Sequence, residues 1–329
     1  MDYVKNVEVF KMKRKIKIII IVLISFIIVG CKSNKESSNY KIVATNFPCY
    51  DFARAVVKDS DFSTEMLLKP GAEIHDFEPT PQDIIKIKNS DIFIYVGGDS
   101  DEWVKKVLTN IDTKKTKIIR LMDLVKNYEE EIVEGMEEEE EHHHNHEEEH
   151  DEEVEYDEHV WTSPVNAITI VDKIKDEVLK IDIKNKEKYI SNAEKYITEL
   201  NLINDEFKSL VSKSKRKEII FGDRFPLRYF ALEYGLTYFA AFPGCSEATE
   251  TSAKTIKFLI NKIKEDSIPV IFKIELSNGK IASTIAKETG VKVLEFNSAH
   301  NISKDKFNAG ITYVNIMKDN IKVLKEALN

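Results

Sequence analysis

Residues 185–212, NKEKYISNAEKYITELNLINDEFKSLVS, decide how this chain is divided. Ile190, Ala193, Ile197, Leu200, Ile203, Phe207 and Leu210 recur at spacings of three or four, the period of a helix that buries one face. Neither Gly nor Pro interrupts the run, so it predicts one long helix rather than two short ones. On both sides the pattern changes to short apolar runs alternating with helical stretches.

Upstream, residues 41–45 (KIVAT) read as a buried strand, 50–57 as a helix and 65–68 as a strand. Thr80-Pro81-Gln82-Asp83 then offers an N-cap, a proline at the first helical position and an acid at the third. Strands at 91–96 and 117–121 enclose a helix at 102–111, and Ser163-Pro164 starts a helix reaching about residue 180. Downstream, strands at 218–221, 236–242, 270–274 and 291–296 alternate with helices at 227–234, 252–265 and 280–289, before a closing helix at 303–328. Strands separated by helices of this length indicate parallel βαβ units. The fold class is therefore α/β: two α/β lobes with parallel sheets, residues 40–182 and 215–329, joined by one linking helix at 183–214. Open sheets of this kind take ligands beyond the carboxyl ends of their strands, so the cleft between lobes is the expected site.

The first forty residues have a different logic. Residues 12–17 (MKRKIK) are basic, and 18–29 form an apolar run of twelve. That is short of the roughly 20 residues a membrane span needs and suits a signal sequence, with Met12 an alternative start. Ile28-Val29-Gly30-Cys31 resembles the bacterial lipobox, in which the chain is cut before the cysteine and the thiol is lipidated. Residues 1–30 are thus expected to be a signal peptide, Cys31 the lipid-bearing residue and 31–39 a polar tether. The rest then lies outside the cytoplasmic membrane, anchored to it rather than spanning it. Whether Cys49 and Cys245 pair stays open.

The net charge of −9 is local in origin. Residues 129–158 hold eighteen Asp and Glu and no Lys or Arg, which leaves +9 for everything else. There is no basic stripe with interleaved aromatics, so nucleic acid is not an expected partner. Within the acidic block, EEEEEHHHNHEEEHDEE (137–153) carries five histidines: His142, His143, His144, His146 and His150. Residues 146–150 match the H-E-x-x-H pattern of zinc proteases. Between residues 134 and 154, however, only Met136 is apolar, so a helix there has no face to bury, and the match follows from a two-letter composition. A solvated linker needs charge but not five imidazoles. The block reads better as an open chain that captures metal weakly and raises its local concentration at the cleft.

His75, His159 and His300 remain, each on a loop at the end of an element. Imidazoles contributed by both lobes favour a shared late transition metal. GAEIHDFEPTPQD (71–83) and DEHVWTSPVNA (157–167) closely resemble the two histidine motifs of the metal-binding lipoproteins of ABC importers for zinc and manganese. The resemblance runs from about residue 41 to the C-terminus. It implies two lobes bridged by a long helix, one ion in the cleft, and His75 and His159 as ligands from the first lobe. That family's third ligand, a His or Glu after the first strand of the second lobe, falls here on Arg224, which is permanently protonated and cannot bind a cation. Either Asp223 substitutes or that ligand is absent.

The family's fourth ligand, commonly an Asp, falls in a loop that holds His300 and Asn297, and His300 is the better donor. The expected set is His75, His159, His300 and Asp223. Glu275 and Glu250 stand in reserve, and Asp76, Asp157 and Glu158 are expected to orient the ring nitrogens. The resemblance implies a monomeric carrier without catalytic activity that delivers Zn²⁺ to an ABC permease. Mn²⁺ is the alternative cargo, and a surface zinc hydrolase and an adhesin are the rival readings.

Overall fold

A computed structural model describes residues 40–73, 77–136, 155–246 and 250–329. The N-terminal signal, Cys31, His75, Asp76 and the five histidines of the acidic block lie outside these residues. In the first lobe, β1 (Tyr40–Ala44) buries Ile42, Val43 and Ala44 completely. A parallel strand covered by helices on both faces has no wet side, which is why it reads as a continuous apolar run. Helix α1 (Phe47–Val56) starts where the Asn46 side chain accepts the Cys49 N–H, with Pro48 in its first turn. Next come β2 (Phe62–Met66), α2 (Pro81–Lys88), β3 (Ile92–Tyr95), α3 (Glu102–Leu108) and β4 (Lys117–Arg120). The Thr80 N-cap forms with both arms of its capping box, Thr80 to Asp83 and back.

After α4 (Pro164–Ile181), capped by Ser163, α5 (Lys186–Lys213) runs for 28 residues toward the second sheet. That lobe contains β5 (Glu218–Arg224), α6 (Arg228–Tyr234), β6 (Thr237–Phe242), α7 (Ala253–Glu265), β7 (Val270–Lys273), α8 (Lys280–Thr289) and β8 (Lys292–Glu295). Its sheet order, β6-β5-β7-β8, repeats the order β2-β1-β3-β4 of the first sheet, and every pairing is parallel. In each sheet the chain crosses from one side of its first strand to the other. Such a reversal opens a crevice at the strands' carboxyl ends.

Three local departures have physical causes. Strand β2 begins at Phe62, earlier than the apolar pattern suggests, because it pairs in register with β1 from Tyr40 onward. The closing helix is two, α9 (Lys304–Asn308) and α10 (Tyr313–Leu328), since Gly310 turns at φ +72° and Thr312 caps a fresh start. On α5 the buried stripe includes Tyr189, Tyr196 and Val211, while Ile190, Ile197 and Leu210 are only half-buried. Counting aliphatic residues overlooks a tyrosine whose hydroxyl has a partner: Tyr189 donates to Asp182 at 2.8 Å and Tyr196 to Asp51 at 2.7 Å.

Asp51 also joins the helices of the two halves. Its buried carboxylate accepts the Tyr196 hydroxyl from α5, the Tyr313 N–H of α10 at 2.8 Å and Arg54 Nε at 2.7 Å. Cys49, inside α1, and Cys245, in the second lobe, are free thiols. Among the described residues, no helix is long and apolar enough to cross a membrane.

Candidate metal centre

The second histidine motif folds into a tight turn. His159 precedes a 3-10 turn, Val160–Thr162, and its carbonyl accepts both the backbone N–H and the hydroxyl of Thr162. Asp157 Oδ1 accepts the His159 N–H at 2.7 Å and faces Nδ1 at 3.1 Å. With Nδ1 carrying the proton toward Asp157, the lone pair sits on Nε2, which is buried and has no hydrogen-bond partner. A buried nitrogen in that state suits a cation. Burial alone would push this imidazole's pKa down, but the charge and hydrogen bond of Asp157, with Glu158 beside it, outweigh burial and hold it above the ordinary value.

From the second lobe, the loop after β8 brings His300 against this turn. Its geometry is set by Glu275, just past β7. That carboxylate accepts the Ser298 N–H at 2.7 Å, the Ser298 hydroxyl at 2.6 Å and the His300 N–H at 3.0 Å. Asn320 of α10 pins Asn297 from behind, and Ala299 adopts φ +60° to turn the chain. Trp161 then stitches the lobes together, donating Nε1 to the Ser298 carbonyl at 2.8 Å. The His159 and His300 rings lie edge to face with centroids 5.1 Å apart.

Donor atoms of Glu158, His159 and His300 fall within 4.8 Å of one another. Glu158 is buried, which raises its pKa, and it accepts the Ser100 N–H at 3.1 Å and the Ser100 hydroxyl. Gly98 makes room for it: a Cβ there would stand 2.3 Å from Oε2. A cavity of about 30 Å³, enough for an ion and little else, is lined by His159 and His300 together with Glu73, Arg224 and Glu275.

The sequence-predicted residues are thus distributed unevenly. His159 and His300 meet, from opposite lobes. His75 lies outside the described residues, but the loop leading to it is held from the second lobe, where Asn301 Nδ2 donates to the carbonyls of Lys69 and Ala72 at 3.0 and 2.7 Å. Asp223 does not line the cavity shared by the two imidazoles. It lines a neighbouring one of about 190 Å³, where its Oδ1 accepts the Arg224 N–H and its Oδ2 is buried without a hydrogen-bond partner. Glu275 shapes the His300 loop, and Glu250 is exposed.

Asn301 and Trp161 were invisible as positioning residues, because nothing in a sequence says which carbonyl across a cleft a side chain will reach. The acidic block's two flanks leave the first lobe side by side: Glu129 bridges Tyr156, and the Glu130 N–H donates to the Glu155 carbonyl at 2.9 Å. They do so immediately before Asp157.

Residues 42–327 match the protein family described as zinc-uptake complex component A, periplasmic. The chain is 33% identical over 307 residues to the high-affinity zinc uptake system protein ZnuA of Bacillus subtilis, covering 91% of this chain and 92% of that one. It is 32% identical over 317 residues to the zinc-binding lipoprotein AdcA of Streptococcus pneumoniae, covering 95% of this chain but 61% of that longer protein. The crystal structure of the Zn(II)-bound ZnuA-like domain of pneumococcal AdcA superposes with a TM-score of 0.70 at 30% identity, over 88% of this chain and 98% of that domain.

Proposed function

This chain belongs to the family of periplasmic zinc-uptake components, and we propose that it captures Zn²⁺ outside the cytoplasmic membrane and delivers it to an ABC permease. The observation that carries this reading is the meeting of His159 and His300 from opposite lobes at one small cavity, with the buried Nε2 of His159 lacking a hydrogen-bond partner. An ion bound between two lobes reports its presence through their relative position, which is what a permease can read. His75, His159 and His300 hold the ion, and nitrogen donors favour zinc over manganese. The protein performs no chemistry on its cargo and acts as a monomer, tethered through a lipid on Cys31. The five histidines at 142–150 supply the cleft without forming its tight site, a role supported by where their flanking segments emerge, next to Asp157.

Deleting the gene should slow growth in zinc-depleted medium, and added zinc should restore it. Unimpaired growth in that medium, with no other zinc importer present, would refute delivery as the function.

A further inference from the structure

Leu276, just past β7, stands in a backbone conformation that its side chain disfavours. Its φ is +60°, in the left-handed region where a Cβ crowds the following carbonyl and where glycine or asparagine sits at less cost. Gly279 fills such a position nearby, at φ +63°. Core packing does not offset the strain, because Leu276 is 44% exposed. The preceding residue holds the chain there: Glu275 accepts the Ser298 N–H, the Ser298 hydroxyl and the His300 N–H. What the leucine side chain reaches is the site. It lines the cavity of about 30 Å³ shared by His159 and His300, and also the neighbouring cavity of about 190 Å³. The wider cavity is bordered by Asp223, Ser277, Asn278 and Lys280, and its size admits several waters. Of the described residues that border both cavities, Glu73 and Arg224 are charged and Leu276 is apolar.

We propose that Leu276 is an apolar partition that keeps water in the wide cavity off the ion held between His159 and His300, and so sets how slowly zinc leaves. This deepens the zinc-carrier reading and rests on it. Water must reach the metal to take the place of an imidazole, and the apolar shell around a site controls that access. Excluding water also lowers the local dielectric, which strengthens the hold of the surrounding carboxylates on a dication. Strain at such a point persists because the surrounding structure imposes it, and here it aims a side chain at the boundary between the two cavities.

The test is release of Zn²⁺ from the loaded full chain and its variants, followed by stopped-flow mixing with excess chelator, with unfolding midpoints of the metal-depleted proteins measured alongside. Leu276→Asn tolerates a positive φ but is polar. It should release zinc about tenfold faster than wild type, the scale on which groups around a metal alter its binding, with an unfolding midpoint no lower than wild type. Leu276→Met keeps both the strain and an apolar side chain, and should release zinc at the wild-type rate. Wild-type release from Leu276→Asn would overturn the proposal, as would equally fast release from Leu276→Met and Leu276→Asn. A lowered midpoint in Leu276→Asn would also overturn it, because the side chain would then be supporting the fold. A His159→Ala control separates the two levels: unchanged zinc binding there removes the carrier reading itself and this proposal with it, whereas lost binding there leaves Leu276 to be judged on release alone.

Discussion

His159→Ala should lower zinc affinity by at least about a hundredfold, the upper end of what loss of a group merely supporting a ligand costs. Three features make this the most sensitive position. Its Nε2 is buried and without a hydrogen-bond partner; its Nδ1 is fixed by Asp157; and its ring touches both Trp161 and His300. Alanine removes the donor while Asp157 stays bonded to the backbone N–H of residue 159, so the turn should persist. Titrating wild type across pH gives an internal check. Zinc must displace any proton on His159, whose pKa stands above the ordinary 6.5, so affinity should begin to fall above that pH and not only below it. A variant that binds zinc as wild type does would show that the ion sits elsewhere.

Asp51→Ala should destabilise the metal-depleted protein by about 3–5 kcal/mol, as expected when one member of a buried, hydrogen-bonded charge network is removed. The Arg54 guanidinium, the Tyr196 hydroxyl and the Tyr313 N–H would all lose the same acceptor. The last two sit on α5 and α10, the long helix between the sheets and the helix that closes the chain. The loss should therefore appear as cooperative destabilisation of the whole unit in urea unfolding, not as fraying of one helix. A change under about 1 kcal/mol, the scale of an exposed pair, would mean that water replaces the carboxylate there.

Much of the fold could be read before any coordinates. The alternation of short apolar runs with capped helices located both sheets because parallel strands buried on both faces leave an unbroken signature, and Thr80 and Ser163 cap as their positions suggest. What stayed hidden depended on partners distant in sequence. The apolar stripe of α5 left out Tyr189 and Tyr196, whose burial depends on the hydroxyl partners Asp182 and Asp51. The break at Gly310 was masked by helical periodicity on both sides. At the site, residue chemistry singled out His159 and His300, and the structure brings the two rings together from opposite lobes. The same chemistry could not tell that Glu275 would spend its oxygens on a loop, or that Asp223 would face a different cavity from the imidazoles.

The central claim is that His159 and His300 share one zinc ion. Crystals soaked in zinc, with diffraction recorded on both sides of the zinc absorption edge, test it most directly. The account predicts one strong anomalous peak about 2.0–2.1 Å from a ring nitrogen of each histidine. A peak bonded to neither, or an empty cleft at saturating zinc with the two rings in place, would contradict it.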